Sequence, residues 1–190
     1  MPQYLAFFKP YEVLSQFTDS KGRRTLKEFI PFSRIYAAGR LDYRSEGLLL
    51  LSDDGPLIHR LTDPRYEHPK IYLAQVEGEI TPEDLEPLRQ EILLPTIQTK
   101  PVTAEIIPEP DLPERSKPVR KYHPTSWLKI TLSEGKKHEV RRLTAAIGYP
   151  TLRLVRIAIA NITLKDLKPG EWRKLASREI QILRGTLGFR

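Results

Sequence analysis

The chain has 190 residues, enough for one domain with a hydrophobic core, and its 39% hydrophobic and 29% charged residues are those of an ordinary globular protein. It has no cysteine, which excludes disulfides, thiolate metal sites, iron–sulfur clusters and a cysteine nucleophile, and suits a reducing compartment. The net charge is +7, no stretch is long and apolar enough to span a membrane, and residues 1–5 do not open as a signal peptide, so a cytoplasmic location with no membrane partner is expected.

Residues 4–8 (YLAFF) read as a first strand, stopped by Lys9-Pro10. Asp19-Ser20-Lys21-Gly22 is a turn, and Thr25 can cap a short helix over 26–29 that ends at Pro31. Residues 35–38 form a short strand leading into a polar loop framed by Gly39 and Gly47. The apolar run 48–51 (LLLL) suits a strand buried on both faces. Asp53-Asp54-Gly55 then turns the chain into a short helix over 56–61, with Asp54 as its cap.

Residues 71–77 are a clear strand, and Thr81 can cap a helix over 82–89 that Pro87 shortens. Seven prolines between 94 and 124 predict a surface crossing with one strand, 104–107, inside it. Residues 126–132 alternate as a strand. Residues 137–147 form an amphipathic helix with Val140, Leu143, Thr144 and Ile147 on one face, ended by Gly148 and Pro150. A strand over 152–157, a turn at Lys168-Pro169-Gly170 and a last helix over 178–183 capped by Ser177 complete the chain. Strands and helices interleave irregularly. The expectation is therefore an α+β fold with a mixed, largely antiparallel sheet and flanking helices, in a single domain over 1–190.

Charge is unevenly placed. Eleven of the 31 basic residues lie between Arg115 and Ala160, opposed only by Glu134 and Glu139. A polyanion-binding surface concentrates charge in this way, although a solvated basic face would look the same.

No P-loop and no Gly-x-Gly-x-x-Gly is present, so no nucleotide cofactor is indicated. His59, His68, His123 and His138 are scattered without metal-ligand spacing. Asp53-Asp54 fits a helix-capping turn better than a metal site. The loop from Gly39 to Gly47 stands apart. It sets one carboxylate, Asp42, between Arg40 and Arg44, where nearby cations would keep a nucleophile ionised. A solvated turn with local ion pairs uses the same residue types.

The run from Gly39 to Gly55 (GRLDYRSEGLLLLSDDG) resembles the signature of the RsuA-type pseudouridine synthases, G-R-L-D, two variable residues, S or T, one more, then G-L-L-L-L-T-N-D-G. Lys9-Pro10 is similar to an early K-P, and Lys70-Ile71-Tyr72 to a K-x-Y block. Residues 134–143 (EGKKHEVRRL) resemble E-G-[KR]-x-[HR]-[QE]-V-[KR]-R-[ML], and Leu154-Val155-Arg156 follows as L-x-R. Together these blocks span nearly the whole chain in the family's order. Residues 11–19 and 124–130 look most similar to the RluE subgroup, which modifies large-subunit ribosomal RNA. Asp53, Glu139 and Ala160 depart from the usual asparagine, glutamine and glycine.

The resemblance implies a pseudouridine synthase fold without an S4-type RNA-binding domain, and a monomer acting on a uridine of large-subunit ribosomal RNA, free or in a preribosomal particle. It implies neither cofactor nor metal. Asp42 would be the catalytic nucleophile, Tyr72 would stack on the flipped uracil, and Arg141 would pair with Asp42. Arg40 would fill the space the base leaves, and Leu154 would pack beneath it. Lys136, Lys137, Arg142 and Arg156 would contact RNA. Two other readings remain at this point: a non-catalytic RNA-binding or ribosome-assembly protein, and a glycosidic hydrolase with Glu46 as the second carboxylate.

Overall fold

The computed structural model describes residues 2–94, 96–119 and 122–189. In chain order its strands are β1 (Tyr4–Lys9), β2 (Tyr36–Ala37), β3 (Glu46–Ser52), β4 (Lys70–Glu77), β5 (Ile92–Leu94), β6 (Ile97–Thr99), β7 (Thr103–Ile107), β8 (Thr125–Leu132), β9 (Thr151–Ile159), β10 (Ile162–Thr163) and β11 (Trp172–Lys174). Three α-helices flank them: α1 (Gly55–Thr62), α2 (Glu139–Ala146) and α3 (Ser177–Thr186). The main sheet runs β11-β1-β3-β9-β4-β8-β7, with β2 on β3 and β10 on β9, while β5 and β6 form a separate hairpin. Every pairing is antiparallel except β3 with β9. The α+β, mixed and largely antiparallel expectation holds.

Alternation along the strands decides which core each side chain enters. Ala6, Phe8, Leu48 and Leu50 face α1 and α3, meeting Leu57, Leu61 and Leu183. Their neighbours Leu5, Phe7, Leu49 and Leu51 point the other way, onto Leu26, Ile30 and Ile35. β3 is thus buried on both faces, as its unbroken apolar run requires. A further core joins Ala74, Leu128 and Ile130 of the sheet to Val140 and Leu143 of α2. No helix among the described residues is long and apolar enough to cross a membrane.

The Asp53-Asp54 pair is structural. Asp54 accepts the Leu57 N–H at 3.1 Å as the cap of α1, and takes bonds from Tyr4 and Arg184 as well. Asp53 accepts the Gln3 N–H at 2.6 Å. A cap of this type stabilises a helix by about 1 kcal/mol.

Several local expectations are corrected. Residues Glu83–Arg89 wind as a 3-10 helix, because Pro87 inside it cannot donate a helical bond. Thr81 does not cap it; its N–H and hydroxyl both donate to the Asp84 carboxylate, at 2.8 and 2.9 Å. The proline-rich stretch contains the β5–β6 hairpin besides β7. Helix α2 begins at Glu139, leaving Lys137 outside it. Helix α3 already includes Ser177, with Ala176 at the cap position and its N–H held by Glu179 at 2.9 Å. Ala160 sits at φ +49 in the turn between β9 and β10, a left-handed conformation that glycine adopts without a Cβ penalty.

Candidate active site

Asp42 lies on the loop between β2 and β3, at the mouth of a cleft of about 920 Å³. Its carbonyl accepts the Ser45 N–H at 3.0 Å, closing a turn that aims the side chain into the cleft. Just beyond, Gly47 pairs with Arg156 in the parallel β3–β9 ladder. Gly47 has φ +104, and a Cβ there would meet the Arg156 carbonyl oxygen at 2.2 Å. Only glycine allows the strand carrying the loop to lie so close to β9.

His138 sets its Nε2 3.4 Å from Asp42 Oδ1, a contact that is an ion pair only when the imidazole is protonated. No ion pair among the described residues joins Asp42 to Arg40, Arg44 or Arg141. Arg40 and Arg44 are exposed at the rim. Arg141, on the first turn of α2, donates instead to the carbonyls of Thr151 and Arg44, at 3.0 Å each. Burial lowers its guanidinium pKa, and the Asp42 carboxylate is the largest opposing influence. The expected direct pairing of Arg141 with Asp42 is thus replaced by a longer-range attraction, because the guanidinium is spent on tying β9 to the Asp42 loop. In the sequence His138 was only the [HR] place of the 134–143 block and one of four scattered histidines. Its backbone takes the left-handed φ of +56, which costs a residue with a Cβ about 1–2 kcal/mol and swings the imidazole toward Asp42.

Opposite Asp42, Tyr72 of β4 is 8% exposed and Leu154 of β9 lies beside it in the same core. Ile71 pairs with Ala158 but Tyr72 with Arg156, so Ile157 is an extra residue in the ladder. Such a bulge re-aims the side chains next to it. Arg156 is buried, donates from Nε to the Leu48 carbonyl at 2.8 Å, and has Nη1 3.4 Å from the Tyr72 hydroxyl. Its Nη2 is buried without a partner.

Three buried ionisable groups at or near the cleft were named in the sequence but given no place in the site. Lys9 is fully buried and donates to the carbonyls of Pro10 and Val13, at 2.8 and 2.7 Å. Burial pushes its ammonium down to about 7, against the pull of Glu46 and Asp42. Glu139 is pushed up to about 7 by burial and by its hydrogen bond with Glu134. Burial acts to raise Glu134 too, but bonds from Lys136, the Lys100 N–H and Glu139 outweigh it and hold that carboxyl low.

Glu46 forms a buried, two-pronged ion pair with Arg153, at 3.0 Å on each prong. Breaking a pair of this kind costs about 3–5 kcal/mol. A carboxylate so engaged is not free to serve as the acid that a hydrolytic reading would require.

The basic segment is also less free than its composition suggests. Lys136 pairs with Glu134 at 2.7 Å and donates to the Gln98 carbonyl, while Arg142 donates to the Thr96 hydroxyl. Arg153 serves Glu46, and Lys129 pairs with Glu105. Arg120 and Lys121 lie outside the described residues. Lys137 is exposed at the cleft and has no ion-pair partner among the described residues. Among the described residues, the cations near Asp42 without an ion pair to a carboxylate and exposed at the rim are Lys137, Arg40 and Arg44.

Residues 3–146 match the family model described as RNA pseudouridylate synthase. A Vibrio vulnificus protein named ribosomal large subunit pseudouridine synthase E is 52% identical over 174 residues, covering 90% of this chain and 74% of that protein. A protein of the same name from Xanthomonas campestris is 49% identical over 178 residues, covering 91% of this chain and 95% of its own length. A solved structure described as a pseudouridylate synthase superposes with a TM-score of 0.81 at 30% identity, covering 96% of this chain and 74% of that one.

Proposed function

This chain belongs to the RNA pseudouridylate synthase family, and we propose that it converts one uridine, or very few, of large-subunit ribosomal RNA to pseudouridine, with Asp42 as the nucleophile. The observation that carries this reading is the placement of the Asp42 carboxylate and the Tyr72 ring in one cleft, with Leu154 alongside.

The reaction breaks the N1–C1′ bond of uridine, turns the uracil, and joins C5 to C1′. One proton leaves C5 and one arrives at N1, so nothing is oxidised and no group is imported. The chemistry calls for no cofactor. The base must leave the stack to be reached, at a cost of a few kcal/mol, which phosphate contacts at the basic rim offset. Uracil would lie on the face of Tyr72 and against Leu154, while Arg40 occupies the space it left. Asp42, beside His138, would work at the ribose or at the uracil ring. A covalent intermediate would divide one difficult bond exchange into two easier steps. The buried Nη2 of Arg156 offers a donor to an oxygen of the bound nucleotide.

A basic cleft of this kind reads local RNA shape and unstacked bases better than duplex sequence, so a structured stem-loop is the expected substrate. The test incubates the purified protein with unmodified large-subunit RNA, small-subunit RNA and bulk transfer RNA, then maps pseudouridine chemically in each. Modification confined to large-subunit RNA is expected. Modification confined to either other RNA would overturn the substrate while leaving the reaction standing.

A further inference from the structure

Ser15 lies outside the sheet and outside the motifs that carry the reaction, yet its hydroxyl touches the residue before Asp42 twice. It accepts the Leu41 N–H at 3.0 Å and donates to the Leu41 carbonyl at 2.8 Å. Leu41 is buried and belongs to no strand, so no sheet ladder satisfies either of its backbone groups. Its side chain is fixed in the core with Tyr72 and Leu154. The residue that carries Asp42 into the cleft is thereby held at its amide, its carbonyl and its side chain.

The segment bearing Ser15 is itself fixed. The Leu14 N–H bonds the Arg24 carbonyl and the Leu26 N–H bonds the Gln16 carbonyl, at 2.9 Å each. Buried Lys9 holds the Val13 carbonyl from below. One hydroxyl proton is available to Ser15 and Leu41 takes it, so the side chain has no proton left for the substrate.

We propose that Ser15 is a positioning residue of the reaction, its hydroxyl setting the backbone from which Asp42 reaches the target nucleotide. This rests on the pseudouridine synthase reading. Misplacing a reacting group by about 1 Å can cost about a hundredfold in rate, whereas the rim residues that hold RNA would be untouched.

The test compares Ser15→Ala, Ser15→Cys and Ser15→Thr with the wild type in steady-state pseudouridine formation, together with hydrogen exchange of the Leu41 amide. Ser15→Ala should lower kcat by roughly tenfold to a hundredfold with KM within about threefold, and should speed Leu41 exchange. Ser15→Cys, a poor hydrogen-bonding group of similar size, should follow it. Ser15→Thr, which keeps the hydroxyl, should recover most of kcat. The inference is overturned if folded Ser15→Ala keeps kcat within twofold, or if KM rises while kcat holds. Should Ser15→Ala fail to fold, the cysteine and threonine variants decide: equal kcat in the two sinks the proposal. A wild type that modifies no RNA would instead bring down the functional reading, and this inference with it.

Discussion

His138 and Asp42 meet in the lining of the cleft at 3.4 Å, although they lie nearly a hundred residues apart in the chain. The imidazole is half-exposed, and a left-handed backbone at His138 holds it there instead of in the helix that follows. Backbone strain beside the proposed nucleophile is the pattern expected where geometry serves the chemistry.

Replacing His138 with alanine should therefore lower kcat more than RNA affinity. An exposed side-chain contact to a carboxylate is worth about 1 kcal/mol, or roughly fivefold in rate. His138→Arg, which keeps a nitrogen donor at the position, should lose less. Steady-state kinetics on one RNA substrate check this; equal losses in the two variants would mean that a donor to Asp42 at 138 is irrelevant.

Glu139 gives the stability of the fold a pH dependence that can be isolated. The folded chain keeps a proton on this carboxyl up to about pH 7, whereas the unfolded carboxyl loses it near its ordinary value of 4.5. The native state binds more protons in that window, so this contribution is full below 4.5 and is lost as pH rises through 7. Lys9 acts oppositely and higher: the unfolded chain binds more protons between about 7 and 10.5, which favours folding as pH rises there. Glu139→Gln leaves the Lys9 effect in place and removes the first. The melting temperature of Glu139→Gln relative to wild type should therefore rise between pH 4.5 and 7 and level off above. A difference constant with pH would contradict the buried titration.

The free rim cations should dominate the salt dependence of RNA binding. Removing Arg40 and Lys137 together should reduce the slope of log K against log salt by about 1–2, since each phosphate contact contributes roughly 0.7–0.9. Lys136 and Arg142 are already engaged by Glu134, Gln98 and Thr96, so removing that pair should change the slope less. Filter binding across a salt series distinguishes the pairs, and the reverse ranking would refute the assignment.

Tyr72→Phe should retain much of the activity and Tyr72→Ala little. The hydroxyl makes only a long contact to Arg156, whereas base stacking on the ring is worth about 1–3 kcal/mol. Single-turnover rates for both variants check this, and similar losses would remove the stacking role.

The Asp42 loop was legible because its residues resemble a family signature; the carboxylate between cations and framing glycines alone would equally suit a solvated turn. The sheet followed from period-two alternation, and α1 from its cap and Pro56. What stayed hidden depends on distant partners. Nothing near Ser15 in the chain points to Leu41, and the count of basic residues could not reveal that Arg153 is consumed by Glu46. The β5–β6 hairpin was masked by the prolines around it. The lone serine and the short strands β10 and β11 carry too few residues to show a period.

The central claim is that Asp42 carries out the bond exchange, and the most direct measurement is pseudouridine formed per enzyme in a single turnover, wild type against Asp42→Asn at equal RNA occupancy. Amide and carboxylate share a shape, so folding and RNA binding should be nearly unchanged while product formation disappears. Product from Asp42→Asn at a rate near wild type would show that Asp42 is not the nucleophile.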